Sequence, residues 1–303
     1  MHEHALQAQM ITLLEQIAPR EGIIENIIDG INVFRITKAA PREPQTYDSG
    51  IIILAQGKKR IFVGETEYVY DPMNYLVMSV PLPLECETMA SVDEPVLGLK
   101  IKVAPATVGE ILLGLSPTEY QADSVPKGLA AAPLTSDILD AVVRLLQAIV
   151  SPEDRDFLAP LYEKEIIYRV LQKPEGKSLR AMAFRQQRFF QIARTLEKIH
   201  HNYEQKFDVN FLAEETGMSI SSFHSNFKKV TNVSPLQYIK TVKLHKARLL
   251  MIQDGLNVSE AAYKIGYESP AQFNREYKRL FGAPPKKDSR SNELHLAWYG
   301  GKN

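Results

Sequence analysis

Between residues 20 and 105 the apolar positions fall in short runs, some continuous and some alternating. "GINVFRITKA" alternates for part of its length. "GIIILAQGKKRIFVGETEYVYDPMNYLVMSV" is cut by Gly57, Gly64 and Asp71-Pro72, which read as hairpin punctuation. "LECETMA" and "VLGLKIKVAP" add two strands, and strands at this spacing predict a sandwich or barrel. From about 106 to 173 the period becomes helical. Ile138, Val142, Leu145, Leu146 and Ile149 share one face, with Ser136 or Thr135 as its cap, and Leu161, Ile166, Ile167, Val170 and Leu171 share another. Such helices can cover the β unit or form a dimer seam, and spacing does not choose between these. Pro174, Gly176 and a charge cluster in 172–187 mark a boundary, and the pattern beyond it is helical, starting with Phe189, Ile192, Leu196, Ile199 and Tyr203.

That helical tail contains one unit written twice. "VNFLAEETGMSISSFHSNFKKV" and "VSEAAYKIGYESPAQFNREYKRLFG" align on Gly217 and Gly266. Val209 and Val258 stand eight residues before their glycine, Ala213 and Ala262 four before. Capping serines Ser219 and Ser269 follow, then Phe223 and Phe227 match Phe273 and Tyr277 with a one-residue slip. A helix, a turn glycine free to take positive φ, and a second helix make a helix-turn-helix. The aromatics face inward. The outer faces carry Ile220, Ser221, His224, Ser225 and Lys228 in one copy, and Ala271, Asn274, Arg275 and Lys278 in the other. Small side chains permit close approach to a major groove, Asn, His and Arg reach base edges, and lysines such as Lys228, Lys229 and Lys278 neutralise phosphates. Between the copies, Ser234 caps, Pro235 opens and Gly255 closes a helix. At 1.5 Å per residue it spans ~27 Å, a spacer suited to recognition helices in successive grooves about 34 Å apart.

The net charge of zero hides an asymmetry that agrees with this reading. Residues 1–177 carry 16 Lys and Arg against 25 Asp and Glu, a net −9, and residues 178–303 carry 20 against 11, a net +9. A basic half fits a polyanion, and an acidic half could dock on it and mask it. The first twenty residues do not form a signal peptide, no run of about 18 apolar residues suggests a membrane span, and the single cysteine allows no internal disulfide, so a cytoplasmic location is expected.

"GMSISSFHSNFKKVTNVSPLQYIKTVKLHKARLLM" and "SEAAYKIGYESPAQFNREYKRLFGAPP" resemble the DNA-binding domain of AraC-type transcriptional regulators over roughly 187–287. The front half, through "ILAQGKKRIFVGETEYVYDPMNYLVMSVPLP" and "APLYEKEIIYRV", resembles the N-terminal module of one AraC subgroup. The resemblance implies an α+β two-domain chain. Residues 1–177 would hold a cupin-like β-barrel (about 20–105) with helices (about 106–173) for effector binding and dimerisation. Residues 178–303 would form an all-α DNA-binding domain with two helix-turn-helix units joined by a long helix. It also implies base contacts from Ile220, Ser221, His224 and Ser225 and from Pro270, Ala271, Asn274 and Arg275. The small serines shift part of the first unit's readout to water or DNA shape. The expected partners are double-stranded DNA, a small-molecule effector, a second copy in a homodimer, and RNA polymerase.

Enzyme chemistry finds little footing. No histidine lies between residues 5 and 199, so a His-ligated metal inside the barrel is excluded, and no nucleophile elbow or phosphate loop occurs. Neither an enzymatic activity nor a cofactor is expected. His200 and His201 read as residues flanking the first helix. Effector contacts are sought among Arg35, Tyr47, Tyr68, Tyr75, Glu85, Cys86 and Lys100. Cys86 is either a thiol sensor or a small buried hydrophobe. A constitutive architectural DNA-binding protein whose β unit only dimerises is the alternative.

Overall fold

The computed structural model describes residues 2–114, 125–184 and 188–291, with side chains to 288. The end of the expected junction (185–187) and the chain beyond 291 lie outside the described residues.

The chain opens on α1 (His2–Ile17), which the sequence reading did not assign to an element. Leu6, Met10 and Leu14 recur at spacing four and are buried. Nine strands follow: β1 (Gly22–Ile28), β2 (Ile31–Ile36), β3 (Ala40–Tyr47), β4 (Gly50–Gln56), β5 (Lys58–Val63), β6 (Thr66–Tyr70), β7 (Asn74–Met78), β8 (Leu82–Met89) and β9 (Val96–Ile101). After α2 (Pro105–Leu113) the chain returns to the β unit as β10 (Leu129–Pro133). Two antiparallel sheets result, six strands in the order β1-β2-β9-β4-β7-β10 and four in the order β3-β8-β5-β6. The expected cupin-like barrel thus takes the form of two packed sheets, and it does not end at 105. β10 pairs with β7 from Leu129↔Met78 to Pro133↔Asn74. Its sequence, LAAAP, is too short and too poor in β-branched residues to announce a strand. β4 was legible because a continuous apolar run, here Ile51–Ala55, suits a strand buried on both faces.

α1 lies across β4 and β9 and packs on α3 (Ser136–Val150), which packs on α4 (Arg155–Gln172). Thr135 takes the N-cap position of α3 without a side-chain cap bond. α3 is buried almost all round, from Ile138 to Ile149, packed between α1 and α4. α4 differs from expectation on one face. Ile166, Ile167, Val170 and Leu171 are buried, but Leu161 is 52% exposed, beside exposed Phe157 and Tyr168.

The remaining helices are α5 (Lys177–Ala183), α6 (Arg188–His201), α7 (Val209–Glu215), α8 (Ile220–Thr231), α9 (Pro235–Ile252), α10 (Val258–Lys264), α11 (Pro270–Phe281) and α12 (Pro285–Ser291). The apolar core does not break near 178. Buried residues of α5 to α8 and the first half of α9, through Val242, are continuous with the core of the β unit. Leu244, Ala247, Leu250 and Met251 of α9 join Ala261, Ala262, Ile265, Phe273 and Tyr277 in a separate small core. Among the described residues, no helix is long and apolar enough to cross a membrane.

Candidate nucleic-acid interface and interdomain cleft

Both duplicated units form as their punctuation requires. Asp208 caps α7 by accepting from the Asn210 amide at 2.8 Å, Gly217 turns at φ +65°, and Ser219 caps α8 by accepting from the Ser222 amide. In the second unit Asn257 and Glu260 form a reciprocal capping box, Gly266 turns at φ +81°, and Ser269 caps α11 with Pro270 at its first turn. Phe223, Phe227, Phe273 and Tyr277 are fully buried. Opposite them, Ile220, Ser221, His224, Ser225 and Lys228, with Lys229, lie exposed on α8. Ala271, Asn274, Arg275 and Lys278 lie exposed on α11, and Pro270 is half-buried at its start. One Asn274 amide hydrogen is donated back to the Pro270 carbonyl at 2.8 Å. The amide oxygen and the second hydrogen stay available to a base edge.

Two polar hubs that the sequence did not advertise hold α11 against its neighbours. Glu276 accepts from Lys240 (3.2 Å), Tyr267 (2.8 Å) and Gln272 (3.1 Å), tying α11 to α9. Burial works against its charge, but these hydrogen bonds outweigh it and keep the carboxyl below its usual range. Asp288 of α12 accepts from Arg248 Nε at 2.7 Å and from the Tyr277 hydroxyl at 2.7 Å, all three side chains being buried.

The first unit is fastened to the β unit. The Gly128 amide donates to Val230 O at the end of α8 (2.9 Å), and Asn232, in left-handed conformation just after α8, donates to Val63 O at 3.4 Å. A Cβ on Gly128 would stand 2.5 Å from Val80 Cγ2, so the close approach needs glycine. Tyr238 of α9, fully buried, donates its hydroxyl hydrogen to Pro81 O at 2.6 Å and lies 2.8 Å from His200 Nε2. These joining contacts are hydrogen bonds between neutral groups.

Between the two parts lies a cleft of about 660 Å³. The β unit lines it with Asn32, Phe34, Tyr47, Asp48, Ile52, Lys100 and Lys102, the helices with Glu197, His200, His201, Tyr203, His245 and Lys246. Asn32, Lys100 and Ile52 share a face because they are register partners across β2, β9 and β4. Burial lowers the pKa of Lys100, takes His200 down to about 4 and His245 to about 3, so both rings are neutral near pH 7. Lys246 and Lys102 add positive charge, Glu25, Asp48 and Glu197 negative. Among the described residues no three His, Cys, Asp or Glu side chains are grouped to hold a metal.

Of the seven residues considered for effector contact, only Tyr47 and Lys100 line the cleft. Cys86 lies buried behind Tyr47, its Sγ 3.4 Å from the hydroxyl, with Tyr70 and Lys59 beside that hydroxyl at 3.4 and 3.1 Å. Burial lowers the Lys59 ammonium to about 8 and raises the Tyr47 phenol well above its usual value. Arg35 is half-buried on β2, where it pairs with Gly22. Tyr68 is half-buried against Asn232, Tyr75 is buried, and Glu85 pairs with Arg42 at the surface. The reading missed His200, His245 and Lys246 because it sought the site inside the β unit, whereas the cleft is closed by helices about 95 to 215 positions later in the chain. His200 does not merely flank a helix: it is half-buried and bonded to Tyr238.

Residues 27–178 match the family model described as the AraC-type transcriptional regulator N-terminus, and residues 212–291 match a helix-turn-helix domain. Among curated proteins, the chain is 32% identical over 96 residues to the HTH-type transcriptional regulator AlkR of Acinetobacter baylyi, covering 32% of this chain and 31% of that protein. It is 23% identical over 146 residues to the lactose operon transcription activator of Staphylococcus xylosus, covering 48% and 51%. The matches therefore span a third to a half of these relatives' lengths. Among solved structures, unsaturated fatty acid bound ToxT from Vibrio cholerae superposes over 89% of this chain and 96% of its own with a TM-score of 0.56. At 10% identity that likeness is one of fold. The N-terminal match alone covers just over half of the chain, and the chain belongs to the AraC-type transcriptional regulators.

Proposed function

We propose that this chain is a sequence-specific, duplex-DNA-binding transcription regulator whose activity responds to a small molecule bound in the interdomain cleft. The observation that carries the reading is the pairing of two capped helices, α8 and α11, each with an aromatic inner face and an exposed polar outer face. His224, Asn274 and Arg275 read base edges, Ile220, Ser221, Ser225, Pro270 and Ala271 let the helices seat closely, and Lys228, Lys229 and Lys278 take phosphates. Residues 1–177 supply the β wall of the effector cleft and the dimer seam, and 178–303 supply its helical wall and bind DNA. The exposed Phe157, Leu161 and Tyr168 of α4 suit a homodimer seam. RNA polymerase is the downstream partner in this reading.

The cleft supports an effector with an anionic head and an apolar body. Lys100, Lys102 and Lys246 offer charge, and Phe34, Ile52 and Val242 offer apolar wall. That ToxT has been crystallised with an unsaturated fatty acid makes oleate a reasonable first probe. A constitutive architectural protein would have no use for such a cleft. Genome-wide DNA pull-down with the full-length protein beside an Asn274→Ala, Arg275→Ala variant tests the reading. A few enriched sites sharing paired half-motifs, lost in the variant, are expected. Uniform binding that the variant leaves unchanged overturns it.

A further inference from the structure

We propose that the cleft acts on the first helix-turn-helix through the hydrogen-bond chain His200–Tyr238–Pro81, a route the second unit does not share. The proposal rests on the regulator reading and names how that cleft would act.

Pro81 offers a carbonyl, which only accepts, so the single hydroxyl hydrogen of Tyr238 is spent on it at 2.6 Å. The Tyr238 oxygen must then accept from His200, 2.8 Å away. The proton of the neutral ring therefore sits on Nε2, and Nδ1 is left as the ring's acceptor. His200 is a wall of the cleft. A ligand that engages this ring thus bears directly on the group that holds Tyr238 to the β unit. An anionic head beside it favours the imidazolium, whose Nε2–H is the stronger donor, and tightens the chain.

Tyr238 also belongs to the first unit's core. Its ring meets Phe227 of α8 edge-on, with centroids 5.4 Å apart. One side chain therefore sets both the floor of α8 and its anchorage. The Gly128–Val230 and Asn232–Val63 bonds complete the seat at the far end of α8. In the second unit, Tyr277 at the position matching Phe227 sends its hydroxyl to Asp288, within its own unit. α11 runs near β3, and His245 of the cleft wall meets Phe281 edge-on at 5.1 Å, but among the described residues the buried core of the second unit takes no residue from the β unit.

Amide hydrogen exchange on the full-length protein tests this, with Gly128 N–H reporting the junction. Tyr238→Phe and His200→Leu are expected to speed exchange at Gly128 and along α8 about tenfold, as loss of one buried hydrogen bond allows. Exchange in α10 and α11 stays within about twofold of the parent. His200→Gln, which keeps an N–H donor, restores protection. Unchanged Gly128 exchange in both variants overturns the proposal, and so does equal loosening of α8 and α11. Because this readout needs no DNA, a failed DNA pull-down with intact exchange results would count against the regulator reading and not against the latch.

Discussion

The two helix-turn-helix units share a sequence pattern and differ in what they are built into. The first has its aromatic core continuous with that of the β unit, and its turn glycine, Gly217, faces nothing within 4 Å. The second has nine buried core residues of its own, and a Cβ on Gly266 would stand 2.6 Å from Glu204 O. The first is thus placed by the regulatory half, the second by polar hubs at half-buried Glu276 and buried Asp288. Duplication of a motif fixes what each copy can touch on DNA. It does not make the copies mechanically equal.

The comparison is broken most forcefully at Asp288. Asp288→Ala removes the carboxylate that accepts from buried Arg248 and from Tyr277, and should cost about 3–5 kcal/mol. The loss belongs to the second unit, so urea unfolding should split into an early phase for α10–α12 and a later one for the rest. The seat of the first unit is acid-sensitive. Burial holds His200 at about 4 in the fold against 6.5 in the unfolded chain. The unfolded chain binds more protons between those values, so stability is full above pH 6.5 and falls as pH drops toward 4, by about 3 kcal/mol for this group. His200→Gln, which has no imidazole to charge, should therefore gain stability relative to the parent as pH is lowered across that window. A pH-independent difference would remove the histidine's role.

The turn glycines provide a finer contrast. Gly217→Ala meets only the positive φ and should cost about 1 kcal/mol. Gly266→Ala adds a backbone clash and should cost about 1–3 kcal/mol more. Thermal melts of both variants rank the two, and equal costs would mean the Glu204 segment moves freely. On DNA, Arg275→Ala should cost about 1–3 kcal/mol at one half-motif, whereas Lys278→Ala should weaken all sequences alike and reduce the salt slope by about one. Binding titrations across a salt series distinguish the two.

Local signals were legible and long-range ones were not. Ser219, Ser234, Ser269, Gly217 and Gly266 announce caps and turns because their chemistry acts within a few residues. The alternation of β2 and the apolar run of β4 announce strands for the same reason. β10 was missed because pairing with β7, and not its own sequence, makes it a strand. Leu161 was placed inward because helical spacing marks an apolar stripe without saying how wide the covering surface is. The cleft was out of reach: Lys100 and His200 meet only once two distant segments dock. Tyr238 sat in plain view on a helix read as a spacer, with nothing nearby to signal that its hydroxyl joins the halves.

The central claim, that the cooperative boundary falls inside α9 and not near residue 178, is tested most directly by native-state hydrogen exchange of the parent protein across a series of low urea concentrations. Amides of α8 and the first turns of α9 should merge with those of β4 and β9 into one opening unit, while α10 and α11 open separately and at lower free energy. If α7 to α12 instead open together, independently of the β unit, the two helix-turn-helix copies form one body and the account is wrong.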